Sequence, residues 1–334
     1  MKHKTGFIAL IMIACVVALS CGCRYVAPSQ TITEADASQN AADTDGSSLS
    51  TSPSNVIYMS GSLSAGTYTG LNESAFDFHP SNDLRIYFNS QTDKSTRENV
   101  GAASIQINGK LIHGHYERTE VYTAIEENNG RMKHLREADL YTGTVNGETV
   151  EYLCRSGTNE LLRLYGKQSF GGETTKHDFS CEMATEKATE LIVSLYGQET
   201  ADHYTHIQTS FVDNYSKYCV LYVRFCYGYM TEEQIAVYYT PQGELSDVVA
   251  LKKGYVDVYE EQLTTDMISQ AEETLRSAVT EGSIGGFRIM LSADGTCYLE
   301  AQALVEKERP AWYPAEDDSN VYNERILLYV PLEA

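Results

Sequence analysis

The chain has 334 residues, of which 46 are acidic and 25 are basic, and its formal net charge is −21. Such a charge repels phosphates, which argues against nucleic acid as a partner and against adsorption on an anionic membrane surface by charge alone. About 280 residues follow the N-terminal segments described next, enough for one large domain or two of ordinary size.

Residues 1–20 have the layout of a signal peptide. Lys2 and Lys4 precede an uncharged apolar run from Phe7 to Leu19. That run is shorter than the roughly 20 residues that a membrane-spanning helix needs. We therefore expect a cleaved export signal rather than a permanent span.

The residues Val17-Ala18-Leu19-Ser20-Cys21 resemble the lipobox of bacterial lipoproteins, although the family usually has Leu where this chain has Ala18. The resemblance implies that Cys21 is diacylated and holds the protein on the outer face of the cell membrane, with the lipid bilayer as its partner. Cys23 is a second candidate for the modified residue. An ordinary secretory signal, which would leave the protein free outside the cell, is the alternative.

Residues 28–54 consist mainly of Ser, Thr, Ala, Asp, Asn and Gln. A segment with so few bulky apolar residues cannot bury enough surface to offset its chain entropy. We predict that residues 21–54 form a lipidated, disordered tether.

Residues 55–175 are predicted to form an antiparallel β meander that closes as a sandwich or an open barrel. Ser104–Ile107 is one clear strand. The Asn-Gly pairs at 108–109, 129–130 and 146–147 each lie between strand-like runs, and Asn-Gly supplies the positive φ angles of tight hairpin turns.

Residues 176–334 are predicted to be an α+β region. Ala188, Leu191, Ile192 and Leu195 follow the spacing of an amphipathic helix that ends at Gly197. The following run from Tyr218 to Tyr229 is apolar on both faces, which favours a central strand. A hairpin across residues 241–243 comes next.

The same order then repeats. Thr264 or Thr265 can cap a helix that carries Ile268, Ala271, Leu275 and Ala278 on one face. A hairpin at Asp294-Gly295 leads to a strand whose Cys297, Leu299, Ala301, Ala303 and Val305 are predicted to point inward, with Tyr298, Glu300, Gln302 and Glu306 outward. The fold class is therefore α+β, a β meander followed by two helix-plus-antiparallel-sheet units at 180–252 and 264–331.

These units are similar to the PepSY and cystatin-like modules of exported bacterial proteins, in which one helix packs over an antiparallel sheet. The similarity rests on the order of the elements and on the hairpin Tyr239-Thr-Pro-Gln-Gly-Glu-Leu245. It implies a binding or regulatory module and carries over no active-site residue.

The sequence offers few candidate sites. His113, His115 and Glu117 alternate along a predicted strand and are the best candidate metal ligands. Trp312 and Tyr313, between two prolines, are the best candidate ligand platform. No catalytic or cofactor motif of a hydrolase, zincin or P-loop protein occurs.

Five cysteines follow the tether, an odd number without a CxxC pair, and we expect mostly buried thiols with at most two bridges. Cys219 and Cys226, an odd spacing apart in one strand, are not expected to bond each other. The five are Cys154, Cys181, Cys219, Cys226 and Cys297.

These observations favour a non-enzymatic, membrane-anchored protein that binds a peptide, a protein or a cell-wall component. Two alternatives stay open. One is an extracytoplasmic hydrolase whose site residues are scattered along the chain, and the other is an envelope-stress sensor or accessory subunit.

Overall fold

The computed structural model describes residues 56–60, 68–72, 76–81, 84, 94–95, 101–107, 109–126, 131–145, 148–165, 179–292, 295–309 and 320–333. Cys21, Trp312 and Tyr313 lie outside these ranges, as do the signal peptide and the tether. Within the described ranges, no helix is both long enough and apolar enough to cross a membrane.

Two long helices form where the sequence predicts them. Helix α1 (Cys181–Tyr196) begins after Ser180, whose hydroxyl accepts a hydrogen bond from the amide of Met183. It ends at Gly197, whose φ of 83° few other residues adopt easily. The short helix α2 (Gln198–Ala201) follows directly.

The other long helix comes later in the chain. The four-residue helix α3 (Val256–Tyr259) comes first. Helix α4 (Thr265–Ala278) then begins directly after Thr264, whose hydroxyl accepts a hydrogen bond from the amide of Met267. The predicted inward residues Ile268, Ala271, Leu275 and Ala278 are buried.

Most of the remaining described chain is β-strand. The N-terminal strands are β1 (Val56–Ser60), β2 (Tyr68–Thr69), β3 (Asp77–Ser81), β4 (Lys94–Ser95), β5 (Ser104–Ile107), β6 (Lys110–His113), β7 (His115–Glu126), β8 (Arg131–Val145), β9 (Glu148–Arg155) and β10 (Leu161–Tyr165). The C-terminal strands are β11 (Tyr204–Val212), β12 (Lys217–Cys226), β13 (Tyr229–Tyr239), β14 (Leu245–Val249), β15 (Ser283–Leu291), β16 (Cys297–Glu308) and β17 (Val321–Pro331).

The predicted hairpins are confirmed. The three Asn-Gly pairs lie between strands that pair antiparallel, namely β5 with β6, β7 with β8 and β8 with β9. The Asp294-Gly295 pair lies between β15 and β16, which also pair antiparallel. The α+β class therefore holds. Antiparallel pairing dominates among the described strands, where two pairs are parallel, β1 with β3 and β13 with β15.

Pairing between strands that are distant in sequence joins most of the described strands. Their order is β3-β1-β17-β16-β15-β13-β14-β10-β9-β8-β7-β4, and β11 and β12 extend from β13. Strand β10, from the predicted N-terminal region, pairs with β14 of the first helix-containing unit. One sheet therefore includes strands from both sides of the boundary predicted after residue 175.

One predicted strand is divided in two. The run from Tyr218 to Tyr229 breaks at Tyr227 and Gly228, which have φ angles of 51° and 84° and form a tight turn. The prediction of a central strand holds for β12, which pairs with both β11 and β13. Sequence periodicity alone missed the turn because apolar residues continue through it.

The helices lie over two separate cores. The first contains Ala184, Ala188, Leu191 and Ile192 of α1 together with residues of β5 to β14. The second contains the buried face of α4 together with Leu299, Ala301 and Ala303 of β16 and residues of β1, β15 and β17. Strands β12 and β13 contribute to both cores, through residues such as Val220 to the first and Cys226 to the second.

None of the described cysteines forms a disulfide bond. Four of them, Cys154, Cys219, Cys226 and Cys297, are buried, and Cys181 is partly exposed. Cys219 and Cys226 both lie in β12 and are not bonded to each other, as expected.

Part of the face of β16 that was predicted to point outward is buried. Tyr298 and Glu300 are only 4% and 1% exposed. They share this face with Tyr329, and the Tyr298 and Tyr329 rings meet edge to face at 6.5 Å. The strand alternation was right, but its second face is also packed.

Candidate functional site

The predicted metal ligands do not converge. His113 ends β6 and His115 begins β7; both are exposed, as is Glu117. A hydrogen bond joins Nδ1 of His113 to Oγ of Ser104 instead, at 2.9 Å. In the described part of the chain, no group of three or more His, Cys, Asp or Glu side chains is arranged to hold a metal ion.

The most distinctive exposed feature is the strand β11. It pairs with β12 on one side from Tyr204 to Val212, with a bulge between His206 and Gln208. On its other side it has no strand partner among the described residues. A strand in this position presents a row of unpaired backbone N–H and C=O groups, which is a template for adding another strand.

Other edges of the described sheet are less suited to strand addition. Strand β4, at one end of the strand order, has two residues. Strand β3, at the other end, has five residues and contains Pro80, which lacks a backbone donor. Strand β11 has nine residues with neither Pro, Lys, Arg, Asp nor Glu, so it lacks the devices that usually protect an edge other than its bulge.

Helix α1 supports one face of this edge. The hydroxyls of Thr185 and Thr209 are 2.6 Å apart, which joins the helix to β11. One turn later, the hydroxyls of Thr189 and Tyr222 are 2.7 Å apart, which joins the helix to β12. Both contacts join side-chain hydroxyls, so they use no backbone group of β11.

The beginning of β11 is held by Glu233, a buried member of an ionic cluster that extends to the surface. Tyr204, 8% exposed, donates its hydroxyl proton to the carboxylate of Glu233, which is 1% exposed. The Arg224 guanidinium lies 3.8 Å from the same carboxylate and binds Asp257 and Glu260 at 2.6 Å each. Burial and the neighbouring charge of Glu233 raise the pKa of Tyr204, so the tyrosine stays protonated and can donate.

The adjacent Glu232 points to the second core. It accepts hydrogen bonds from the amide of Leu291 at 2.9 Å and from the hydroxyl of Tyr259 at 3.3 Å. Burial is the main cause that raises the pKa of this carboxyl. Both oxygens of Glu232, like both oxygens of Glu233, thus have partners within the protein, and these two acids connect the two cores.

The sequence contains only a weak signal for this edge. No Asp, Glu, Lys or Arg occurs from His203 to Val212, although 21% of the chain is charged. Whether an uncharged strand lies at an edge or in the centre depends on its neighbours, which the local sequence does not specify. The local sequence therefore does not identify β11 as an edge strand.

No protein family matches the chain, and no curated protein matches it either. Among solved structures, it is similar to the Bacillus megaterium YpeB C-terminal domain, with a TM-score of 0.31 and 13% identity over 57% of this chain and 82% of that chain. It is also similar to a thermostable family-43 glycoside hydrolase, with a TM-score of 0.14 and 12% identity over 82% of this chain and 88% of that chain. Likenesses at these TM-scores carry no inference about function.

Proposed function

We propose that the protein is a membrane-anchored extracytoplasmic lipoprotein whose folded region binds an extended peptide segment of a partner protein by strand addition to β11. The observation that carries this proposal is the nine-residue, uncharged strand β11, one side of which has no strand partner among the described residues. Main-chain hydrogen bonds supply affinity in this mode of recognition, and side-chain contacts on alternate residues supply specificity. The likeness of the element order to PepSY modules fits a binding role.

The anchor is proposed from the sequence. A lipidated Cys21 followed by a polar tether would hold β11 outside the cell at some distance from the bilayer. Two acyl chains provide stable anchoring, whereas one chain holds only marginally.

A hydrolase is the alternative function, and the buried acids Glu232 and Glu233 are the side chains on which it would depend. Glu232 and Glu233 do not favour it, because all four of their carboxylate oxygens accept hydrogen bonds or lie near Arg224 within the protein. These acids are 3% and 1% exposed, so they stabilise the fold and are not accessible to a substrate.

A second copy of the chain is a less suitable occupant of the edge. Each copy has a formal net charge of −21, so two copies repel each other. We therefore assign the edge to a peptide from another protein.

The binding experiment uses three synthetic peptides of about nine residues, the length of β11, which alternate valine with lysine, glutamine or glutamate. We expect at least one of them to bind. Binding should slow hydrogen exchange at alternate amides of β11, because only alternate residues direct their N–H groups away from β12. If none of the three peptides binds, strand addition at β11 is rejected.

A pair of proline variants tests the backbone requirement. Of the consecutive residues Thr209 and Ser210, one directs its N–H toward β12 and the other away from it. We expect Thr209→Pro and Ser210→Pro to differ in Tm. The variant that loses the N–H directed away from β12 keeps its hydrogen bonds to β12 and should have the higher Tm. That variant should keep its fold and bind the peptide about tenfold or more weakly, a loss of about 1.4 kcal/mol.

Two further measurements complete the test. Sedimentation should show a monomer; a dimer that the more stable proline variant dissociates would make β11 a self-interface instead. Metabolic labelling with a palmitate analogue should mark the native protein and fail to mark Cys21→Ala, with Cys23→Ala still labelled. Unlabelled native protein in the medium would overturn the anchor.

A further inference from the structure

The charged residues around β11 are predominantly acidic. On α1, Thr185 and Thr189 make the contacts to β11 and β12, while Ala184 and Ala188 are buried in the core. A residue three positions earlier lies about 60° further round a helix. Glu182 and Glu186 are three positions before Thr185 and Thr189. They therefore lie about 60° round the helix from the two threonines, on the side away from the core.

Both glutamates are exposed. They therefore form an acidic border along the α1 side of the edge, where alternate side chains of an added strand would lie. A hydrogen bond from Ser180 lowers the pKa of Glu182, which keeps that carboxylate charged.

The two ends of β11 are acidic as well. Asp202 lies two positions before the strand, Asp213 follows it directly, and both residues are exposed. Three nearby cations have partners within the protein. Lys187 of α1 is exposed but donates a hydrogen bond to the carbonyl of Gly243 at 3.0 Å. Lys217 binds Asp247 at 2.8 Å, and Arg224 binds Asp257 and Glu260.

From this arrangement we infer that the peptide accepted by β11 is basic, with Lys or Arg on the alternate positions that face α1. This inference rests on the proposed strand addition and specifies its partner. Attraction between the acidic border and a basic strand raises the association rate and selects against acidic segments, whereas the backbone contacts are indifferent to side-chain charge.

The three peptides separate the two claims. We expect the lysine peptide to bind about tenfold more tightly than the glutamine peptide, and the glutamate peptide to bind most weakly. The difference between the lysine and glutamine peptides should shrink in about 0.5 M salt, because exposed charges are screened over a few ångströms at that ionic strength.

A double variant, Glu182→Gln with Glu186→Gln, tests the border itself. It should weaken the lysine peptide severalfold and leave the glutamine peptide unchanged. The matched control is Glu261→Gln with Glu273→Gln, which removes two exposed charges from residues outside α1 and β11 and should change neither affinity.

The failures are distinguishable. If the lysine and glutamine peptides bind equally, or if the control variant weakens the lysine peptide as much as the double variant does, the basic partner is rejected while strand addition stands. If no peptide binds, strand addition itself is rejected and the inference falls with it.

Discussion

The hydroxyl of Tyr204 donates a hydrogen bond to the carboxylate of Glu233, which links the first residue of the edge strand β11 to the shared strand β13. The same carboxylate accepts from the amide of Val256 at 3.0 Å, where α3 begins. A single buried acid thus connects the candidate peptide edge, the shared strand β13 and the start of α3.

Removing this hydroxyl should destabilise the protein. In Tyr204→Phe the ring stays in the core, but a buried oxygen of Glu233 loses its donor. Leaving a buried charged acceptor unsatisfied costs about 1–3 kcal/mol. We expect the free energy of unfolding in urea to fall by that amount.

Tyr58→Phe is the matched control, because Tyr58 is half-buried and packs through its ring against Tyr298, edge to face at 5.8 Å between the ring centroids. It should change stability by less than about 0.5 kcal/mol. Equal stability of Tyr204→Phe and the native protein would mean that Glu233 does not depend on this donor.

Glu232 should make stability depend on pH. Burial raises the pKa of its carboxyl above the ordinary value of 4.5, so above that pH the folded protein holds a proton that the unfolded chain releases. Stability therefore falls as pH rises from about 4.5 through the raised pKa, and this contribution vanishes below the ordinary value, where both states are protonated.

Glu232→Gln removes the titrating group and keeps an oxygen for the amide of Leu291. The stability of the variant relative to the native protein should therefore increase as the pH rises from about 4.5 through the raised pKa, by about 1.4 kcal/mol for each pH unit by which burial raises the pKa. Urea unfolding at several pH values measures this, with exposed Glu261→Gln as the control. A parallel pH dependence of the native protein and the variant would reject a raised pKa.

Gly114 should not tolerate a side chain. A Cβ at this position would lie 2.0 Å from the Tyr152 hydroxyl and 2.8 Å from the Tyr141 Cβ. Tyr152 cannot move freely, because its hydroxyl donates to the carbonyl of Ala103. We expect Gly114→Ala to lower the free energy of unfolding by about 1–3 kcal/mol.

Gly101→Ala provides the comparison, since a Cβ there would meet nothing within 4 Å. This variant should be neutral or slightly more stable. Equal melting temperatures of the two variants would show that the packing around Tyr152 is looser than described.

The cysteines should differ sharply in reactivity. Burial raises the pKa of Cys154 to about 12 and that of Cys226 to about 11, whereas Cys181 is partly exposed at the start of α1. Because the thiolate is the reactive form, Cys181 should react with iodoacetamide at least about tenfold faster than the four buried cysteines.

Peptide mapping by mass spectrometry reads out each site, and addition of guanidinium should remove the differences. Fast labelling of Cys154 or Cys226 in the native protein would mean that the sheet opens locally around them.

Local sequence determined much of the secondary structure. The Asn-Gly pairs marked three hairpins, Ser180 and Thr264 capped the long helices, and the alternation from Cys297 to Val305 marked the buried face of β16. These features depend on backbone angles and on contacts within a few residues, so the residues themselves specify them.

Only the tertiary structure decided which strands are neighbours. The pairing of β10 with β14, the parallel contact of β13 with β15 and the edge position of β11 join segments that are far apart in sequence or depend on the absence of a neighbour among the described strands. Such pairings are selected by the burial summed over the whole sheet rather than by any local pattern. For the same reason, local sequence does not show that Glu232 and Glu233 of β13 are buried and hydrogen-bonded within the protein. Nor does it show that the uncharged strand β11 is the candidate binding edge.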